Sequence, residues 1–364
     1  MSRPDLKAQS AAQMIRKRIM HGDHALHGLP AERPLAEELG MSRQTVRRSL
    51  KLLEEEGTLI RRDNGRLEVA NTEAAGVRKP VIGFVKFNTP SHDHEIWTTG
   101  IYTAIEGRTL TLRPMSFEHY AAPHLAAALS GFDAMFFLPP AEAVPKWLTD
   151  RMYEGKCRVV VLDQDATNVG LPSIVMFPPK AENRLLEHLA QFGHRRIDCL
   201  NSQPQDAIIE GRIGSWQSFI RERGIEGSLY SLTEFSPLES AYQLVRNKLR
   251  IGSLFGTSLL CTTAPAALGA MRACYEAGVK VGHDLSICAV NDEGIGAYLV
   301  PSLTSLQSLP RVVYLRQALD WMLSGGDWQG PLLLQPHESE VPLFVGESTG
   351  SIPVEATARL ASVG

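Results

Sequence analysis

The chain has 364 residues, a hydrophobic fraction of 44% and a formal net charge of −3. It is too long for one small domain, apolar enough to fill a core, and without an apolar run long enough to span a membrane, which excludes a disordered or membrane-embedded protein. The charge is uneven: residues 1–79 hold 15 Lys/Arg against 11 Asp/Glu, and the remainder 22 against 29. A basic head on an acidic body is the balance expected of a DNA reader attached to something else. The first ten residues are polar and charged, unlike a signal peptide. The five cysteines are widely spaced, odd in number and without a CxxC, so they read as reduced core residues of a cytoplasmic protein.

In chain order, residues 8–21 form a helix with Ala12, Ile15 and Ile19 inward and Arg16, Lys17 and Arg18 outward. The loop HGDHALHG follows. His21, His24 and His27 lie in it without other ligand types nearby, so it reads as an exposed loop rather than a metal site. From Leu29 to Val69 the signals of a winged helix-turn-helix accumulate. Pro30 and Pro34 bracket a helix start, where proline costs no hydrogen bond. Leu35 and Leu39 share a buried face, and Gly40 stops the helix in the left-handed conformation. Ser42 then caps a second helix through the backbone N–H of Gln44 or Thr45. So short a connection makes the two helices cross steeply.

The second helix runs to about Glu56, with Val46, Leu50 and Leu53 inward. Arg43, Arg47 and Lys51 recur four apart on another face, with Gln44 and Arg48 beside them. Arginine suits phosphates and guanine edges because its planar fork bonds bidentately. Beyond Gly57, LIRR and RLEV flank Asn64-Gly65, a two-residue hairpin signal. That hairpin is the wing and carries Arg61, Arg62 and Arg66.

Residues 71–80 read as a small, polar linker. At Val81 the pattern changes to alternating strands and helices. Strands are predicted at 81–87, 109–113, 134–138, 158–162, 173–177, 197–201, 228–232, 258–262 and 285–290. Helices are predicted at 95–106, 120–129, 143–153, 181–192, 207–223, 238–249 and 264–277. Such alternation means βαβ units and parallel sheets, an α/β fold. The strands are too many for one ordinary sheet, so two lobes with a cleft are expected, with ligands beyond the strand C-termini. In SHDHE, which follows the first strand of the body, His92, His94 and Glu95 read as metal or polar-ligand groups or as a solvated loop. Residues 303–308 are expected to cross back to the first lobe, where helix 311–323 follows. A strand at 332–335 and the run VPLFV close the body. The predicted organisation is a head over 1–70, a linker over 71–80, a two-lobed body over 81–350 and a loose tail over 351–364.

The head, through LPAER, LAEELGMSRQTVRRSL, LEEEG and the wing, resembles the GntR-type bacterial regulators over residues 10 to 70. That resemblance implies that Arg33 holds a backbone phosphate, that Arg43, Thr45 and Arg47 lie at the groove with Gln44 alongside, and that Gly65 lets the wing tip approach the minor groove. Ser42, Arg48, Lys51, Arg62 and Arg66 complete the expected DNA-binding set. Arg48 is a departure, since glutamate is frequent there in the family.

The body resembles the LacI-type sugar-binding regulators, which share the fold of periplasmic binding proteins. The matching stretches are HLAQFGHRRIDCL (188–200), EGRIGSW (210–216), AALGAMRACYEAGVKVGHDLSICAVNDEG (266–294), VPSLTSL (300–306) and ESTG (347–350). Such a head on such a body is the pairing of arabinose-responsive regulators. The resemblance implies that Arg212 bonds effector hydroxyls and that Asp163 contributes from the first lobe. Thr263 and Asn291 stand where the family usually has asparagine and aspartate, which leaves the cleft less acidic. Trp97, Phe177 and Trp216 read either as surfaces that stack on the effector or as core.

The expected function is sequence-specific regulation of transcription, with repression as the default. A homodimer binds a palindromic double-stranded DNA operator, and a small, carbohydrate-like effector controls it from between the lobes. No cofactor, metal or membrane is expected. An enzyme is a competing reading, but the body shows no nucleophile–base pair, Gly-rich phosphate loop or metal motif. A second competitor is a regulator whose body only dimerises.

Overall fold

In the computed structural model, residues 3–20, 29–62, 65–69, 79–88, 91–140, 142–204, 207–252 and 256–351 are described. The histidine loop, Asn64, residues 71–78 of the linker and the tail from 352 lie outside these.

The head contains α1 (Arg3–Met20), α2 (Glu32–Leu39), α3 (Arg43–Glu55), β1 (Leu59–Arg61) and β2 (Leu67–Val69). The first helix starts earlier than its apolar stripe predicts, because Pro4 falls in its first turn, where no N–H partner is lost. Gly40 ends α2 at φ 61°, and its N–H and that of Met41 bond back to Glu37 and Ala36. The Ser42 hydroxyl accepts the N–H of Thr45 at 3.2 Å and starts α3. Ala12, Ile15, Leu35, Val46, Leu50, Leu53 and Leu59 form one buried cluster, so the four-residue spacings in the sequence do mark the packed faces. β1 and β2 pair antiparallel, and Gly65 at φ 77° supplies the left-handed residue of the hairpin.

The body is an α/β structure of two six-stranded sheets. Its elements in chain order are β3 (Val81–Phe87), α4 (His92–Ile105), β4 (Thr111–Phe117), α5 (Pro123–Gly131), β5 (Ala134–Leu138), α6 (Lys146–Glu154), β6 (Arg158–Leu162) and β7 (Ser173–Ile174). Then come α7 (Asn183–Gln191), β8 (Ile197–Asn201), α8 (Ala207–Arg223), β9 (Leu229–Ser231), α9 (Pro237–Arg250), β10 (Ser258–Cys261), α10 (Ala264–Glu276), β11 (Ser286–Ala289) and β12 (Thr304–Leu306). The chain ends with α11 (Val312–Ser324), β13 (Leu333–Leu334) and β14 (Leu343–Phe344).

The first sheet has the order β13-β7-β6-β5-β3-β4 and is parallel throughout. The second has the order β14-β12-β11-β10-β8-β9, parallel except for β14. Strands buried on both faces read as unbroken apolar runs, as in Ala134–Leu138 and Val159–Leu162. The chain crosses between lobes three times: at residues 175–182, between β12 and α11, and between β13 and β14. The return expected at 303–308 comes later: 304–306 first form β12 of the second sheet, and the crossing follows at 307–311.

Differences from the predicted elements have local causes. β4 runs over Thr111–Phe117 instead of stopping at Arg113, and passes through Pro114. A proline is tolerated there because β4 is an edge strand and needs no second ladder. Helix α4 begins at His92, three residues early, so SHDHE is a cap and first turn rather than a loop. The strand at 173 stops after two residues because its chain turns into the first crossover.

Helices α9 and α10 touch backbone to backbone at Gly269. A Cβ there would lie 2.3 Å from the Leu238 carbonyl oxygen and 2.7 Å from the Tyr242 nitrogen. Glycine inside a helix ordinarily costs about 1 kcal/mol relative to alanine. We expect the sign to invert here: Gly269→Ala should destabilise by about 1–3 kcal/mol through overpacking. Urea unfolding followed by circular dichroism checks this, and a gain in stability would show that the two helices separate without cost.

Candidate functional site

The exposed side of the head is a dense lattice of charge. Arg47 on α3 places its fork on Glu32 of α2, with Nε at 3.0 Å from both carboxylate oxygens and Nη2 at 2.7 Å from Oε2. Arg43 stands 3.9 Å from the same carboxylate. The Arg47 hydrogen bond holds the Glu32 carboxyl below its ordinary range. Arg33 pairs with Glu37 and Lys51 with Glu55, each one turn along its helix. In the wing, Arg62 pairs with Glu68 and Arg61 with Glu54. Arg48 has no ion-pair partner among the described residues.

Ser42, Arg43, Gln44, Thr45, Arg47, Arg48 and Lys51 thus run from the cap of α3 into its second half. Arg33 stands on the preceding helix, and Arg62, Gly65 and Arg66 in the wing. The Ser42 and Thr45 hydroxyls also bond each other at 2.8 Å. The sequence reading missed Glu32. Its signal was present as an acid at the first position of a helix that precedes a row of arginines.

Between the lobes lies a cavity of about 600 Å³, in the range of small-molecule sites. Asp163, just after β6, faces it from the first lobe. Arg212 on α8, Thr263 at the start of α10 and Asn291 just after β11 face it from the second. All four predicted polar positions therefore converge, with Asp163, Thr263 and Asn291 at strand C-termini, because parallel strands direct their exit loops to one edge.

Arg212 Nη1 donates to the Thr262 carbonyl at 2.7 Å, which anchors the guanidinium at the cavity wall. Behind it sits Glu182, buried, on the first crossover. Burial pushes its carboxyl well above the ordinary range, and the Arg212 charge pulls the other way. Thr263 is buried and its hydroxyl has no hydrogen-bond partner among the described residues. A buried donor left unmade costs about 1–3 kcal/mol, so the group is poised to gain from a ligand. Asn291 Oδ1 accepts the N–H of Glu293 at 2.9 Å, which orients its amide.

Two cavity residues carry unusual backbone. Asp163 at φ 60° and Glu293 at φ 50° are the non-glycine residues with positive φ among those described, and they lie on opposite lobes. Strained backbone of this kind clusters at functional sites. Burial, with the Asp93 charge nearby, raises the Glu293 carboxyl above its ordinary range.

The three aromatic candidates do not line the cavity. Trp97 is fully buried in the first lobe beneath the Arg311 guanidinium, which lies 4.2 Å from its ring. Trp216 is buried and its indole N–H donates to the Ile197 carbonyl at 2.9 Å, a core role that satisfies its polar handle. Phe177 packs in the core cluster shared by both lobes. Of their two readings, the core one holds for all three.

The SHDHE histidines and residues the sequence reading did not assign fill the remaining wall. His92 and His94 face the cavity from the first turn of α4, whereas Glu95 is exposed and pairs with His92 at 3.5 Å. Burial lowers the His94 pKa, which leaves a neutral imidazole at neutral pH. Asp93 is gripped by Arg311, a buried pair linking the start of α4 to the start of α11. Gln164, Gln203 and Glu293 add polar groups, and Leu138, Ile208, Leu238 and Leu268 form an apolar side. Among the described residues no cluster of three His, Cys, Asp or Glu could hold a metal. A second hollow, beside Arg196, Trp216 and Gly227, lies at the opposite, N-terminal ends of β8 and β9.

The chain resembles known proteins in two separate parts. The family of bacterial regulatory proteins of the gntR type matches residues 7–69, and the periplasmic binding protein-like domain matches residues 186–348. The HTH-type transcriptional regulator GalR of Streptococcus thermophilus is 28% identical over 156 residues, 42% of this chain and 47% of that protein. The probable HTH-type transcriptional repressor ExuR of Bacillus subtilis is 26% identical over 159 residues, 41% and 45% of the two chains. The chain thus spans about half the length of these relatives. A LacI family transcriptional regulator from Bifidobacterium animalis superposes with a TM-score of 0.63 at 20% identity, over 75% of this chain and 98% of that one. Another, from Arthrobacter and solved in complex with lactose, superposes with a TM-score of 0.61 at 17% identity, over 74% and 99%. No helix of the described residues is long and apolar enough to cross a membrane. The chain therefore resembles the gntR-type regulators over its head and the periplasmic binding protein-like domain over residues 186–348, and its body has the fold of the LacI family structures.

Proposed function

We propose that this protein is a DNA-binding regulator of transcription, controlled by a small polyhydroxylated ligand of the sugar class bound between its lobes. The observation that carries the reading is the convergence of Asp163, Arg212, Thr263 and Asn291 from both lobes on one cavity, in a chain whose head presents a basic recognition helix. The mixed wall suits a sugar: carboxylate, amide and guanidinium groups for hydroxyls, and Leu138, Ile208 and Leu238 for the apolar ring face. The relatives' names, regulators and repressors, point the same way. The proposed organisation is a head over 1–70, a linker over 71–80 and a sensing, dimer-forming body over 81–350. Such a protein acts in the cytoplasm and catalyses no reaction.

In this reading the ligand favours one separation of the lobes. Two copies share a palindromic operator, and a change in lobe geometry alters whether both heads fit their half-sites. Repression relieved by the ligand is the direction we propose. The test is a thermal-shift panel of sugars, sugar phosphates and uronic acids, followed by operator binding with and without each binder. A binder that stabilises the protein and changes its DNA affinity supports the reading. A ligand that is turned over, or binding without effect on DNA, overturns it.

Three outcomes follow for the residues named. Arg47→Ala should weaken specific DNA binding by about 1–3 kcal/mol and leave the body folded. This is measured by titrating a duplex selected from a random pool at fixed salt, and equal affinity would remove α3 from the interface. Second, sedimentation should show a dimer, and the selected sites should be inverted repeats. A monomer that binds a lone half-site at full affinity contradicts that. Arg212→Ala should abolish the ligand response without loss of DNA binding, and Arg212→Lys should restore little, since lysine lacks the planar fork. An alanine variant that responds at wild-type ligand concentration would move the sensing site, with His92 and His94 the next to examine.

A further inference from the structure

Glu32 makes an arrangement unlike the other ion pairs of the head. It is the first residue of α2, and its carboxylate serves two arginines of α3 at once. Its side chain is 31% exposed, against 67% for Arg47. Three contacts at 2.7–3.0 Å engage Nε and Nη2 of Arg47. This fork consumes one edge of the guanidinium and leaves Nη1 pointing elsewhere with both its hydrogens. Among the described residues no other side chain of the recognition helix is forked by a carboxylate of a different helix.

We infer that Glu32 is a specificity-determining positioning residue, which holds Arg47 in one orientation and cancels its charge toward phosphates. The inference rests on the proposed DNA-binding function and assigns it a residue that itself bears the wrong charge for DNA. Non-specific binding comes almost wholly from cations that neutralise phosphates. An arginine already neutralised by a carboxylate contributes little to that. Contact with a base edge depends on geometry, and there a pre-set guanidinium loses less side-chain freedom on binding. Glu32 therefore lowers affinity for arbitrary duplex more than for the matching site. Stability is not its main role: an ion pair this exposed contributes little to folding, so its removal leaves the head intact. Arg43, at the longer distance, is restrained by the same carboxylate to a smaller degree.

The experiment measures binding of the full-length protein to two duplexes, one of random sequence and one selected from a random pool by the wild type, across a range of potassium chloride concentrations. Glu32→Gln keeps the shape and removes the charge. It should tighten binding to random duplex several-fold at low salt. It should steepen the dependence of log affinity on log salt by about 0.9 for each arginine released to a phosphate. The ratio of selected to random affinity should fall. In an Arg47→Ala background the same substitution should change the slope only by the share that runs through Arg43. An unchanged slope and ratio overturn the inference. So does an equal loss of affinity for both duplexes at unchanged slope, which is the mark of a purely structural residue, and so does a full effect in the Arg47→Ala background. A wild type without salt-dependent DNA binding would fail the proposed function itself, a result separable from all of these.

Discussion

Parallel strands all release their chain at the same edge, and a chain that crosses three times between two such sheets has to bring those edges face to face. The body of this protein depends on that constraint. It places the exits of β6, β8, β10 and β11 around one space without a dedicated loop scaffold. It also ties the lobes by three strands of backbone. One apolar cluster includes residues of both lobes, among them Phe84, Trp97, Phe177, Leu185 and Trp216, and so joins the two cores. The cavity keeps a mixed wall, polar groups facing an apolar side of Leu138, Ile208, Leu238 and Leu268. Arg212 is a case in point: its anchoring acceptor, the Thr262 carbonyl, is itself at a strand end, so the sheet geometry sets the direction of the guanidinium.

The head solves a different problem with surface charge. A row of arginines on one helix repels itself and attracts any polyanion. Here each of several cations stands against a nearby carboxylate: Arg33 with Glu37, Arg47 with Glu32, Lys51 with Glu55, Arg61 with Glu54, and Arg62 with Glu68. Individually such pairs add little stability. Together they moderate the potential of a surface whose basic residues outnumber its acids only slightly. The small excess of charge in the head is therefore spread among ion pairs, in contrast to a uniformly basic patch.

Much of this was legible in the sequence, and the failures have physical reasons. Strands Ala134–Leu138, Arg158–Leu162 and Ile197–Asn201 and helix Ala207–Arg223 fall where their patterns placed them, because a short apolar run bounded by polar residues marks a buried parallel strand and fixes the segments between. Gly40 and Ser42 fixed the turn because each has one local conformational role. The four polar cleft residues were found by resemblance in motif, and the topology brings them together. The aromatics were ambiguous because a buried ring and a stacking ring look alike in sequence; Trp216 shows its role only through an N–H bonded to a carbonyl on another element. Glu32, Asp93 and Arg311 were missed since their partners are 15 and 218 positions away, and no local pattern encodes such distances. Short strands such as Leu333–Leu334 were overextended because a two-residue pairing has no period to read.

The left-handed backbone at Asp163 and Glu293 bears on how such a protein changes under selection. A side chain in that conformation costs roughly 1–2 kcal/mol, which glycine would recover. Both positions are thus standing opportunities for stabilising substitutions, and both would remove a carboxylate from the cavity wall. A library screened for thermal endurance alone would drift toward glycine at these sites and yield hardier proteins with a blunted cleft. At residues 163 and 293 backbone stability and the chemistry of the cavity wall therefore pull in opposite directions, which makes them the ones to hold fixed when the scaffold is redesigned for a different ligand.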